Sequence, residues 1–154
     1  MVKSGGKWYM FIGEYNHSVD AKGRVSLPSR FREALSDPFY ITRGFETCLF
    51  IYDAEEWQKM DSKLSHLNFT AREARNFSRM FYSGAMEISC DKQGRFLIPP
   101  QLRSFAKIDR EVVILGVSNR IEVWDKQHWE DYMASDAMDY DELSEALNQS
   151  GVEI

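Results

Sequence analysis

Asp20-Ala-Lys-Gly-Arg24-Val-Ser-Leu-Pro28 recurs as Asp91-Lys-Gln-Gly-Arg95-Phe-Leu-Ile-Pro99. Both stretches read D-x-x-G-R-φ-x-φ-P, with φ apolar, and they stand 71 positions apart. The match runs on beyond the motif. Phe31-Arg-Glu-Ala-Leu35 aligns with Leu102-Arg-Ser-Phe-Ala106 at the same offset. Arg43-Gly44 aligns with Leu115-Gly116, and Leu49-Phe-Ile-Tyr-Asp53 followed by Trp57 aligns with Ile121-Glu-Val-Trp-Asp125 followed by Trp129, now offset by 72, so one residue is inserted between the two sets. A unit of about 60 residues is therefore present twice, and a period of this kind decides architecture before any local propensity does.

Within each unit, residues 14–19 and 85–90 read as short β-like runs leading into the motif, and residues 25–27 and 96–98 as strands leaving it. Asp tolerates turns by bonding its own backbone, and Gly23 or Gly94 supplies the positive φ that a tight turn needs. Each copy is thus expected to form a hairpin with the motif at its tip. Pro28 and Pro99 suit a helix start, so a short helix should carry Phe31 and Leu35, or Leu102 and Ala106. Strand-like runs follow at 39–42 and 48–52, and at 112–115 and 121–124, with Gly44 and Gly116 at the turns. Asp53 with Glu56 marks a capped helix bearing Trp57, Met60, Leu64 and Leu67, and Asp125 opens its counterpart bearing Trp129 and Met133.

Between the copies, Thr70-Ala-Arg-Glu73 has the form of a capping box, predicting a helix to about Phe81 with Ala74, Phe77, Met80 and Phe81 inward. Arg72, Arg75 and Arg79 share its other face. That stripe reads first as a solvated helix face, with a phosphate or subunit contact as the alternative. Neither half buries enough apolar surface to stand alone, which favours packing of the two about a pseudo-twofold axis. The expected organisation is a leader at 1–9, a first repeat at 10–68, a connecting helix at 69–82, a second repeat at 83–137 and an acidic tail at 138–154.

The chain has 154 residues, 24 acidic and 19 basic, for a net charge of -5. Hydrophobic residues make up 44% and charged ones 28%, which excludes wholesale disorder and collagen-like repetition. No apolar run approaches the ~20 residues of a membrane span, and the chain reads as soluble. The acidic balance at first argues against nucleic acid. Residues 122–154, however, hold ten acids and one base (Lys126), a net of -9, and the remaining 18 bases and 14 acids leave residues 1–121 at +4. A mildly basic body carries an acidic end, expected to point away from the motif face. Residues 1–9 hold Lys3 and Lys7 and no secretory apolar core; they read as an extended start before Met10 or as an artefact. Cys48 and Cys90 have no C-x-x-C or Cys/His spacing, so buried reduced thiols and a cytoplasmic protein are expected.

Chemistry of an enzymatic kind has little support. His17, His66 and His128 are scattered, and no H-E-x-x-H, G-x-S-x-G or P-loop string is present. Asp20 and Asp91 could form a carboxylate pair, but each has an Arg four residues later, which favours an ion pair or turn cap. The duplicated tip is better read as a binding element, because the Arg fork fits phosphate oxygens or guanine O6 and N7, and a Gly beside it lets backbone approach closely. Lys22, Lys92 and Gln93 add donors. The repeat could also be kept for folding alone, leaving an oligomeric protein-interaction scaffold without DNA binding as the alternative.

Residues 10–147 resemble the MraZ family of bacterial regulators, within the AbrB/SpoVT-like DNA-binding superfamily. The resemblance rests on Met10-Phe-Ile-Gly-Glu-Tyr-Asn-His17, the motif pairs Asp20/Arg24 and Asp91/Arg95, Arg43-Gly-Phe-Glu46 and Ile121-Glu-Val-Trp-Asp125. It implies an α+β fold of two tandem pseudo-symmetric β-rich halves packed into a small β-barrel-like core with peripheral helices. It also implies a closed homo-oligomeric ring and a cytoplasmic, nucleoid-associated repressor of the division and cell-wall gene cluster. Such a repressor would bind double-stranded DNA with direct repeats in its own upstream promoter region. By resemblance Arg24 and Arg95 would contact DNA, Asp20, Gly23, Asp91 and Gly94 would hold the loops, and no metal or cofactor is expected. Several weak contacts joined on one assembly gain from effective concentration.

Overall fold

The structure is a computed structural model that describes residues 2–4 and 7–154. Of the 1–9 leader, residues 1, 5 and 6 lie outside the described residues. β1 (Val2–Ser4) and β2 (Lys7–Tyr9) form a small antiparallel pair.

The first repeat contributes β3 (Phe11–Ser18), β4 (Arg24–Ser26), α1 (Ser29–Ala34), β5 (Phe39–Arg43), β6 (Leu49–Tyr52) and α2 (Ala54–Ser65). After α3 (Arg72–Ser83), the second supplies β7 (Met86–Ile88), β8 (Arg95–Leu97), α4 (Pro100–Phe105), β9 (Glu111–Ser118), β10 (Arg120–Asp125) and α5 (Lys126–Met133). A 3-10 turn at Asp136–Met138 and α6 (Tyr140–Gln149) complete the chain.

Six strands form one antiparallel sheet in the order β3-β9-β10-β6-β5-β7, and β4 pairs with β8 in a separate ribbon. Exchanging each strand for its equivalent in the other repeat returns the same order reversed, which is the signature of a pseudo-twofold axis. The register locates that axis twice. Val25 pairs with its own equivalent, Phe96, in the ribbon, and Phe50 pairs with its own equivalent, Glu122, between β6 and β10.

Strand alternation separates two cores. Leu49, Ile51, Val112, Ile114, Ile121 and Val123 face one side, where they meet Val25 and Phe96 of the ribbon, Phe31 of α1 and Leu102 of α4. Phe50, Tyr52, Val113, Leu115 and Trp124 face the other, where Trp57 and Met60 of α2, Phe77 and Phe81 of α3, and Trp129 and Tyr132 of α5 cover them. The fold is thus α+β in three layers: ribbon with α1 and α4, sheet, then α2, α3 and α5. At the axis Glu122 is buried but satisfied, accepting from Arg120 Nε at 3.0 Å and Trp124 Nε1 at 3.0 Å, as a buried carboxylate requires.

The hairpin expectation needs correction. Only one backbone bond spans the base of each motif turn, Asp20 N to Arg24 O at 2.9 Å and Asp91 N to Arg95 O at 2.7 Å. Beyond it the strands part. β3 pairs along its whole length with β9 of the other repeat, β7 pairs with β5, and β4 with β8. A three-residue hairpin arm closed on its own repeat would bury little, whereas crossing places Val25, Leu27, Phe96 and Ile98 together in one core.

The capping box also fails. Ala71 occupies the N-cap of α3 with no side-chain cap, because Asn68 Oδ1 captures both the Thr70 backbone N–H at 3.1 Å and the Thr70 hydroxyl at 2.7 Å. Such local Asx bonding competes with capping. On α3 Phe81 is buried and Met80 is half exposed rather than inward. Asp53 and Asp125 cap α2 and α5 as expected, accepting from the Glu55 and His128 backbone N–H. Cys48 is buried, Cys90 only partly so, and neither is in a disulfide.

Gly116 in β9 faces the β3 backbone so closely that a Cβ there would lie 2.3 Å from Ile12 N and 2.4 Å from Phe11 C. Backbone cannot swing aside as a side-chain tip can. Gly116→Ala is expected to destabilise by about 1–3 kcal/mol through forced separation of β3 from β9, read as a shifted urea midpoint with unchanged slope.

Candidate nucleic-acid interface

Each motif loop is organised by its aspartate. Asp20 Oδ1 accepts the backbone N–H groups of Lys22 and Arg24, both at 2.9 Å, and Oδ2 accepts Arg24 Nε at 2.8 Å. Asp91 repeats the pattern, with Gln93 N at 2.9 Å, Arg95 N at 3.0 Å and Arg95 Nε at 3.0 Å. Gly23 and Gly94 take φ of +87° and +77° and close the turn by donating to Asp20 O and Asp91 O, each at 3.0 Å. This φ region is steeply unfavourable for side chains other than Gly, Asn and Asp.

The two loops form one surface. Leu27 N donates to Gly94 O and Ile98 N donates to Gly23 O, each at 3.0 Å, so each loop is stitched to the other repeat. Val25 and Phe96 point into the core, hence their neighbours Arg24, Ser26, Arg95 and Leu97 occupy the outer face of the ribbon. The Arg95 guanidinium comes within 3.9 Å of Asp20 as well as bonding its own Asp91. Each aspartate engages the inner Nε of its arginine, and among the described residues no hydrogen bond occupies the outer Nη atoms of Arg24 or Arg95. The arginines are therefore oriented yet retain the forked end that reads phosphate or guanine. Lys22, Lys92 and Gln93 are exposed at the loop tips.

Two further arginines belong to this surface. Arg32 of α1 lies over the Gly94 loop, where a Cβ on Gly94 would come 2.0 Å from its Nη1, and it donates to Leu27 O at 3.2 Å. Arg103 of α4 sits beside Gly23, donating from Nε to Ile108 O at 3.1 Å and from Nη2 to Asp109 O. They are equivalent positions in the repeat, 71 apart, and each reaches across to the loop of the other half. The alignment of Phe31-Arg with Leu102-Arg already held that signal. The half-exposed Leu97 on the outer face was masked by its place in an apolar run.

The stripe of Arg72, Arg75 and Arg79 is elsewhere. α3 packs on the sheet face opposite the ribbon. There Arg75 Nη1 donates to Phe69 O and Thr70 O, bracing the α2–α3 loop, while Arg79 bonds Asn76. α5, where the acidic end begins, packs on that same opposite face.

Backbone N–H groups of Arg24 and Lys22, with the Arg24 side chain, hold the Asp20 carboxyl below the ordinary carboxylate range; Asp91 is lowered likewise by the Arg95 and Gln93 N–H groups and the Arg95 side chain. Such carboxylates are poor proton donors or acceptors near neutrality. A depressed pKa in the folded state means that ionisation favours the ordered loop above the ordinary value of about 3.9 and that this contribution fades as pH falls through the lowered value. Carboxyl titration by NMR is expected to show Asp20 and Asp91 protonating below the ordinary aspartate value of about 3.9, with loop amide shifts following the same curve. Among the described residues no set of three His, Cys, Asp or Glu side chains gathers as a metal site, and no helix is long and apolar enough to cross a membrane.

Comparison with known proteins yields a family model described as "MraZ protein, putative antitoxin-like", which matches twice, over residues 10–80 and 81–150. Curated relatives named Transcriptional regulator MraZ include those of Finegoldia magna, 53% identical over 90% of this chain and 97% of the relative, and Acetivibrio thermocellus, 49% identical over 93% and 100%. The Clostridium tetani relative of the same name is 48% identical over 93% of this chain and its own whole length.

Proposed function

The chain belongs to the MraZ family, whose curated relatives are named as transcriptional regulators rather than enzymes, and on that premise we propose that it is a sequence-specific DNA-binding regulator that represses the division and cell-wall gene cluster. It acts in the cytoplasm at the nucleoid, as a ring of identical subunits, on direct repeats in its own upstream promoter region. Residues 10–68 and 83–137 are its two halves.

One observation carries the reading: Arg24 and Arg95 stand together on the outer face of a two-stranded ribbon, each held through Nε by its own aspartate, with no hydrogen bond on their outer Nη atoms among the described residues and Arg95 Nη1 3.9 Å from Asp20. A β-ribbon fits the major groove, and the pseudo-twofold axis through Val25 and Phe96 presents both arginines to one stretch of duplex. Lys22, Lys92 and Gln93 approach the flanking phosphates or base edges. The net charge of -5 does not oppose this, because the acidic end leaves from the layer on the other side of the sheet.

Binding isotherms on the upstream region, with one, two or three repeat boxes and at several salt concentrations, test it. Affinity is expected to rise steeply with box number and to fall with salt at a slope of about 0.9 per phosphate neutralised. Absent or salt-insensitive binding would favour a protein-interaction scaffold.

A further inference from the structure

α6 is a ten-residue helix that belongs to neither core. Among the described residues none of α6 is buried, and every side-chain hydrogen bond beyond Ser135 is made within the tail itself. Helices this short are marginal in water unless an apolar face is covered. α6 has such a face: Tyr140, Leu143 and Leu147 recur at three- and four-residue steps and are exposed at 85%, 44% and 43%. Asp139, Asp141, Glu142 and Glu145 surround it, and the helix carries no base.

The complementary surface lies between α2 and α3. A groove of about 440 Å³ is lined by Leu64 from the end of α2, Leu67 and Phe69 from the connection, and Ala74 and Tyr82 from α3. Phe69 is 78% exposed. Arg75 and Arg79 stand on the groove's α3 side. An apolar floor edged by arginine is what an acidic amphipathic helix requires, and this chain supplies one.

We propose that α6 of one copy seats in the α2–α3 groove of a second copy, Leu143 and Leu147 against the groove floor and Glu142 and Glu145 toward Arg75 and Arg79. The contact joins two different surfaces, so each copy offers both a tail and a groove, and such head-to-tail pairing closes a ring when the rotation permits. The groove, and α5 from which the tail departs, belong to the layer opposite the β4–β8 ribbon, so the motif loops stay free. This deepens the assembly part of the proposed function and does not depend on DNA binding.

Full-length Leu143→Asp/Leu147→Asp and Arg79→Glu variants, with folding checked by thermal melting, are expected to weaken subunit association at least about tenfold in sedimentation. Adding Glu142→Arg to Arg79→Glu should restore part of the loss. In a Cys90→Ser background, mixing a Ser78→Cys chain with a Leu147→Cys chain should give a disulfide-linked pair under mild oxidation, and neither chain alone should. Wild-type mass in both surface variants, or a disulfide that forms only when both cysteines are in one chain, would overturn the inference while leaving ring assembly intact. A monomeric wild type would overturn ring assembly as well.

Discussion

Arg24→Ala and Arg95→Ala are each expected to weaken binding to the upstream repeats by roughly 10- to 100-fold, and the double variant by more than 100-fold, without change in fold or assembly. A bidentate arginine contact carries about 1–3 kcal/mol, and a ring repeats the loss at every subunit engaged with a box. The side chains lie on the outer ribbon face and, among the described residues, hydrogen-bond only their own motif aspartates, with Arg95 also near Asp20, so stability should hardly move. Lys22→Ala and Lys92→Ala should give smaller losses and a shallower salt slope, as mobile phosphate contacts do. Gel-shift titration with circular dichroism and solution mass on the same samples measures all of this. Equal losses for lysines and arginines would mean a diffuse electrostatic surface rather than two aimed forks.

Phe96→Ala should be the most damaging of the simple truncations, at about 3–5 kcal/mol. Phe96 is 1% exposed, meets Phe39 edge to face at 6.0 Å and pairs with Val25 on the pseudo-twofold axis. Removing the ring leaves a void where the two repeats interlock, so both motif loops should loosen together and DNA affinity should fall with stability. A loss of that size is a large share of the 5–15 kcal/mol that holds a typical domain folded. Leu97→Ala is the internal control: one residue on, half exposed on the outer face, it should cost less than about 0.5 kcal/mol. If Leu97→Ala were the costlier change, the ribbon would face the other way and the arginines would not point outward.

What the sequence made legible was whatever is encoded within a few residues or by the repeat. Asp, Gly and Arg lie within five positions, so the loop geometry follows from local bonding. Strand alternation in Leu49–Tyr52 and Arg120–Asp125 assigns each side chain to a core. Strand partners were not legible, because period-two alternation fixes which face is buried and says nothing about which neighbour supplies the hydrogen bonds. The motif strands accordingly looked like hairpins and instead cross between halves. Thr70 misled for a related reason: a cap, an Asx turn and a loop brace compete for the same few donors, and Asn68 two residues upstream decides the contest. Arg32 and Arg103 were visible as an aligned pair, but their place beside Gly94 and Gly23 depends on that crossing.

Hydroxyl-radical footprinting of the chain's own upstream region by wild type and by the Arg24→Ala/Arg95→Ala double variant tests the central claim most directly. Wild type is expected to protect regularly spaced repeats, and the double variant, equally folded and equally assembled, to protect none at the same concentration. No protection by wild type, or the same footprint from both proteins, would contradict it.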